Sequence, residues 1–262
     1  MSTVITITNQ KGGVGKTTTA AALLSALSSR GAHVLGVDLD PQGSLGFNLG
    51  LDIENCKTIY DVFRGEAEPR EAIAHTETCD LLPSNILLSA AELEFNKAGR
   101  EFMLKTALSK VRDAYDYVII DTPPALNVLT VNAYVATDSL IIPMAPEVLS
   151  LLGVSQIKET IESVRSYYNS TLRVLGILLN RFNPRLRLNR EVMELAEQIA
   201  SQLGTRVFQA KIRTSVSAAE APAHGVSVID YAPRSNPAMD FENLCDEIAG
   251  RDFPRRENRE EK

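Results

Sequence analysis

The chain has 262 residues, a net charge of −6 and a pI of about 5.3, so no overall field draws it to nucleic acid and any such binding needs a local basic patch. Hydrophobic residues make up 44% and charged residues 23%, the balance of a soluble globular protein. Cys56, Cys79 and Cys245 lie far apart without a C-x-x-C pair, which argues against a disulfide framework or zinc site and fits a reducing, cytoplasmic compartment. No apolar run approaches the roughly 20 residues needed to cross a bilayer, and the start, M-S-T-V-I, has no basic region or cleavage site.

Strand signals alternate with helical stretches. That pattern predicts an α/β fold, a mostly parallel twisted sheet with helices on both faces. Residues 4–8 form the first expected strand, and 17–29 an Ala/Leu-rich helix stopped by Arg30-Gly31. A second strand runs over 33–37 and ends at Asp38; 39–50 is Gly-rich loop, and 58–63 a short helix. Further strands are expected at 80–83, 116–120, 138–142 and 172–179. Helices are expected at 88–97, 101–113, 127–136, 148–167, 188–202 and 237–249. Linkers and repeats are missing, so residues 1–250 read as one domain and the polar residues 251–262 as a frayed tail.

The sharpest signal is the strand–loop–helix at 4–29. Its loop reads Lys11-Gly12-Gly13-Val14-Gly15-Lys16-Thr17-Thr18. Glycine-rich backbone can wrap a phosphate chain with its N–H groups, and the following helix N-terminus adds positive dipole. Lys16 is placed to reach the β- and γ-phosphates of ATP, and the Thr17 hydroxyl to ligate Mg²⁺. The ordinary motif G-x-x-x-x-G-K-[ST] would need glycine at position 10, where this chain has Gln10. The loop is instead the deviant Walker A form of a P-loop NTPase, with a second lysine, Lys11. Spacing leaves two roles open for Lys11: a solvated surface lysine, or a positive charge offered to a nucleotide held by a facing subunit.

P-loop folds place acids at the C-terminal ends of neighbouring strands. Asp121 follows V-I-I and precedes T-P-P, which suits a Walker B acid that holds Mg²⁺ through water. Asp38 and Asp40, two apart in V-D-L-D-P-Q-G-S, point the same way in an extended chain, and one of them can orient the attacking water. The segment 181–190, R-F-N-P-R-L-R-L-N-R, concentrates Arg181, Arg185, Arg187 and Arg190 without an acid. It reads either as a solvated helix start or as a DNA-phosphate patch; cations there oppose the helix dipole, which favours the patch.

The stretches N-Q-K-G-G-V-G-K-T-T, V-D-L-D-P-Q-G-S, L-L-P-S-N, D-Y-V-I-I-D-T-P-P and A-E-A-P-A-H-G occur in family order from residue 3 to about 250. By them the chain resembles the ParA/Soj branch of the ParA–MinD ATPases. The resemblance implies a weak ATP hydrolase that closes into a homodimer in ATP and coats DNA without sequence preference. It implies a cytoplasmic, nucleoid-associated protein released when a ParB-like or cargo-bound partner stimulates hydrolysis, so that a plasmid, chromosome or protein assembly is partitioned. Carried over, Lys11 is the signature lysine, Lys16 the P-loop lysine, Thr17 the Mg²⁺ ligand, Asp40 the support of the catalytic water, Asp121 the Walker B acid and Asn180 the adenine contact. The chain departs from many relatives at Arg213 and Ser217, where they carry proline and arginine, so the DNA surface is partly redrawn and Arg213 is a candidate to join it. Some plasmid partition ATPases carry a helix-turn-helix domain ahead of the P-loop; with Met1-Ser2 before the first strand here, sequence-specific operator binding is not expected. The alternatives are a MinD-like positioning ATPase and a nucleotide-switched binding module with negligible turnover. The first needs a C-terminal amphipathic helix, whereas this C-terminus holds Pro254 and no apolar face.

Overall fold

The computed structural model describes residues 2–95, 97–146, 148–183 and 187–250, with no side-chain description at 92, 148–155 and 187–190. Strands β1 (Thr3–Ile7), β2 (Val34–Asp38), β3 (Ala74–His75), β4 (Asp80–Leu82), β5 (Tyr117–Asp121), β6 (Ser139–Met144) and β7 (Arg173–Leu179) make one sheet of order β3-β4-β2-β5-β1-β6-β7. All neighbours pair in parallel except β3, a two-residue antiparallel edge on β4. The expected mostly parallel sheet is therefore present, and the edge strand is an addition that two residues are too short to signal.

Residues along each strand alternate between two helical layers. Val4, Leu35, Val37, Val118 and Ile120 point into one core, which buries α3 (Ile59–Arg64), α6 (Met103–Ser109), α7 (Val128–Ala136), α8 (Val148–Tyr167) and α9 (Arg187–Gln202) against the sheet. Ile5, Ile7, Leu81, Ile119 and Ile141 point into the other, beneath α1 (Lys16–Ser29), α2 (Ser44–Asn48), α11 (Val228–Tyr231) and α12 (Asn236–Ala249). Each fully buried aliphatic side chain contributes about 1.5–3 kcal/mol, so the central strands, buried on both faces, carry much of the stabilisation of the fold. Short helices α4 (Pro69–Ala72), α5 (Ala91–Glu94) and α10 (Ser217–Glu220) complete the set.

Three expectations need correction. The stretch 39–50 is not wholly loop, because α2 forms inside it. Its start is held by tertiary contact: the buried Asp38 carboxylate accepts from the backbone N–H of Leu45. The helix expected at 88–97 is a 3₁₀ turn, Ile86–Ala90, followed by the single turn α5. The helix expected at 101–113 is α6 flanked by 3₁₀ turns at Arg100–Phe102 and Arg112–Ala114. Here Gly99 enters the left-handed region, and the buried Asn132 amide ties down Arg100 O and Leu104 N at 2.8 and 3.0 Å, which sets where the helix can begin. The tail at 251–262 lies outside the described residues. No helix among the described residues is long and apolar enough to cross a membrane.

Candidate phosphate-binding site

Parallel register brings three strand ends together: Ile7 pairs with Asp121, and Asp121 with Asp38. The loop that leaves β1 therefore passes over both carboxylates before entering α1. Gly13 and Gly15 sit at φ 74° and 89°, a backbone conformation that side chains resist and that turns successive N–H groups inward. Gly15 starts α1 with no side-chain cap, which leaves the first-turn N–H groups for an anion. A Cβ at Gly12 or Gly13 would meet nothing within 4 Å, so the loop faces open space there.

Two asparagines hold this loop. Asn9, 1% exposed, donates from Nδ2 to Pro143 O at 2.7 Å and accepts at Oδ1 from Lys11 N at 3.0 Å. Asn180, at the end of β7, donates from Nδ2 to Val14 O at 2.9 Å and to Thr19 Oγ1 at 3.3 Å. Its amide nitrogen would stand 2.5 Å from a Cβ at Gly15, so the loop and Asn180 are fitted to each other. Asn180 is thus a buried brace of the loop in this structure. Sequence reasoning carried Asn9 only as part of the stretch N-Q-K-G-G-V-G-K-T-T and gave it no role, because a lone Asn carries no periodic or spacing signal of its own.

Lys16 is buried, and its Nζ donates to Lys11 O at 3.2 Å. Burial lowers its pKa, while Asp121 and then Asp40 pull it back up. Thr17 and Thr18 are half-buried on the first turn of α1, and Lys11 is half-buried at the mouth of the loop. Asp121 is fully buried, and neither of its oxygens has a hydrogen-bond partner of acceptable geometry. Burial pushes its carboxyl up to about 7; the nearby Thr17 hydroxyl and then Lys16 act the other way. Asp38, also fully buried, is raised by burial and by the charge of Asp121, despite accepting from Asp40 N and Leu45 N at 2.9 and 3.0 Å. Asp38 thus caps the following turn. Asp40 is half-buried, and its Oδ1 accepts from Gln42 N at 3.0 Å.

Two buried carboxylates at adjacent strand ends are costly without a cation between them and solvent. The unpartnered oxygens of Asp121 beside the Thr17 hydroxyl form a hard oxygen donor set of the kind Mg²⁺ takes, with water and phosphate oxygens completing the shell. The residues present therefore fit a magnesium–nucleotide complex.

The arginines are more dispersed. Arg181 is exposed and holds a left-handed φ of 52°, just after Asn180. Arg213 donates bidentately to Asp240 along one guanidinium edge, at 2.9 Å from Nε and 2.7 Å from Nη2. Arg187 and Arg190 lie on the first turn of α9, and Arg185 lies outside the described residues.

A glycine cradle at a strand–helix junction, with acids on the neighbouring strand ends, defines a P-loop nucleotide-binding protein. The chain matches the AAA domain family over residues 2–174. It is 40% identical to the sporulation initiation inhibitor protein Soj of Bacillus subtilis strain 168, over 95% of this chain and 99% of Soj. It is 38% identical to the chromosome partitioning protein ParA of Caulobacter vibrioides, over 96% of each chain. Among solved structures, cobyrinic acid a,c-diamide synthase from Mycobacterium smegmatis with bound ATP analogue and magnesium superposes with a TM-score of 0.83 at 35% identity, covering 97% of this chain and 99% of that one. The chain belongs to the ParA/Soj branch of the ParA–MinD family, a family of partition and positioning ATPases.

Proposed function

We propose that this chain is an ATP hydrolase that uses MgATP to close into a homodimer, binds DNA non-specifically in that state, and is released when a cargo-bound partner stimulates turnover. The reading is supported most by the buried Asp121 carboxylate beneath the Lys16–Thr17 turn, whose oxygens have no hydrogen-bond partner and whose charge a bound cation would stabilise. In this account Lys16 and the loop amides hold the β- and γ-phosphates, Thr17 and Asp121 hold Mg²⁺, the latter through water, and Asp40 orients the attacking water. Residues 11–18 form the phosphate cradle, and Asn180 braces it beside the base. Lys11 reaches the phosphates of the facing subunit, where an added positive charge favours transfer. Hydrolysis is slow in the isolated chain because that arrangement forms only in the dimer. The close relatives named Soj and ParA support a role in partitioning a chromosome, plasmid or other cargo.

DNA contact falls to Arg181, Arg185, Arg187 and Arg190, with Arg213 alongside. The net charge of −6 leaves such a local patch as the electrostatic route to phosphate. Pairing of Arg213 with Asp240 reduces what that residue can offer. The test is DNA binding against salt in ATP and in ADP, for wild type and an Arg185→Ala/Arg187→Ala/Arg190→Ala variant that still dimerises. Binding should require ATP, affect all sequences alike, and lose about one unit of log–log salt slope per phosphate contact removed. Equal binding in ADP would refute nucleotide gating, and an unchanged slope in the variant would place the patch elsewhere.

A further inference from the structure

A cavity of about 470 Å³ opens between the end of α3, the end of α5 and the start of α6. Its volume falls within the range of small-ligand sites. None of residues 11–18, Asp38, Asp40 or Asp121 lines it, so it is separate from the phosphate site. Phe63, Phe95 and Met103, all half-buried, supply apolar lining. Phe63 and Phe95 meet edge to face with ring centroids 6.0 Å apart, and Tyr60 packs against Phe95 at 6.2 Å.

Arg64, Lys97 and Arg100 add three cations to this lining, against one acid, Glu94. The Tyr60 hydroxyl donates across both oxygens of Glu94, at 3.1 and 2.9 Å. Arg64 pairs with Glu66 at 2.9 Å and Arg100 with Glu101 at 3.6 Å, at side chains that solvent reaches. Exposed pairs of this kind contribute little. They give way to a phosphate, whose oxygens a guanidinium fork takes bidentately. A ring bearing phosphate would use both kinds of lining, whereas free phosphate would leave the rings unused and a neutral ring would leave the cations unused.

The cavity is also tied to the nucleotide site. The buried Asn132 amide, on α7, donates to the Arg100 carbonyl at 2.8 Å and accepts from Leu104 N at 3.0 Å, on either side of Met103. The stretch between Asp121 and α7 is fastened to that helix, where Thr130 Oγ1 donates to Ala125 O at 2.6 Å. A ligand that shifts the segment at Arg100 therefore loads the helix that follows Asp121.

We infer that this cavity is a second ligand site, for a nucleoside monophosphate or another aromatic ring bearing phosphate, and that its occupancy is coupled to MgADP binding at the phosphate loop. Methyl NMR spectra read it directly, because Met103 is one of five methionines and lines the cavity. The full chain is saturated with MgADP, which fills the phosphate loop, and titrated with AMP. The Met103 methyl should shift saturably. Inorganic phosphate and adenosine should each bind at least about tenfold more weakly than AMP, and Arg64→Ala/Lys97→Ala should weaken AMP by about tenfold or more, the scale of a lost charge-assisted hydrogen bond. At limiting MgADP, AMP should change MgADP affinity by about fivefold or more in wild type, the lower end of ordinary coupling between sites, and not in the double variant.

No Met103 shift overturns the inference, as does phosphate or adenosine matching AMP, or full AMP affinity in the folded double variant. A short acidic peptide carrying one phenylalanine that binds more tightly than AMP would make the cavity a protein-docking site and overturn it too. An unchanged MgADP affinity in wild type overturns the coupling. So does an equal change in the double variant, which marks competition at the phosphate loop.

Discussion

Replacing Asp121 by Asn keeps the shape of a side chain that is completely buried and removes its charge. In the wild-type protein both carboxylate oxygens lack a hydrogen-bond partner, and Asp38 is its register neighbour on β2. A buried polar group left unsatisfied costs about 1–3 kcal/mol, and more when charged. Asn keeps a buried polar group but removes the buried charge, so the nucleotide-free Asp121→Asn chain should be more stable than wild type by the excess a charge costs over a neutral group, on the order of 1–3 kcal/mol. For a chain of 262 residues this raises Tm by roughly 2–12 °C. The comparison belongs at pH 8, above the raised carboxyl of Asp121, where its charge is present. With ligand the order should reverse. MgATP at about 100 times its Kd adds roughly 2.7 kcal/mol to wild type, whereas the variant should lose the magnesium-dependent part of that gain. Thermal melts with ATP alone and with MgATP measure both effects. A ligand-free variant melting at or below wild type, or one that keeps the full magnesium increment, would refute the assignment of this carboxylate to the metal.

Lys16→Ala should fold and lose nucleotide binding by equilibrium titration; full affinity in the folded variant would remove this lysine from the phosphate site. Gly225→Ala should destabilise the chain by roughly 1–3 kcal/mol in chemical denaturation, because Gly225 sits at φ 66° and its new Cβ would lie 2.8 Å from the Cα of Gly50. Unchanged stability there would mean that the turn after α2 can move away at little cost.

The strands were legible because β-branched and leucine runs such as V-I-I before Asp121 are buried on both faces and need no alternation. The cradle was legible for a different reason: its glycines, lysines and threonines are contiguous, so chemistry and spacing coincide in one stretch. What escaped were elements decided by partners outside their own span. Helix α2 has Gly43 before it, Gly46 within it and Gly50 after it, a poor local prospect, and it forms because Asp38 holds Leu45 N. The break between the 3₁₀ turn at Arg100 and α6 is set by Asn132, which lies 28 residues beyond Leu104. Asn9 and Asn180 are 171 residues apart in sequence, and only the sheet order, with β6 between β1 and β7, brings them to the same loop. The basic segment at 181–190 was legible as charge alone, which does not say where each guanidinium points; Arg213, added to it from a family difference, turns out to be held by Asp240.

The central claim is that ATP, and not ADP, closes two chains into a dimer. Light scattering on Asp40→Ala, in which hydrolysis should no longer deplete the ATP state if Asp40 has its proposed role, tests it most directly. The account predicts the mass of two chains in MgATP and of one chain in MgADP, with wild type reaching the dimer only transiently. A single-chain mass in both nucleotides, with ATP binding intact, would contradict it.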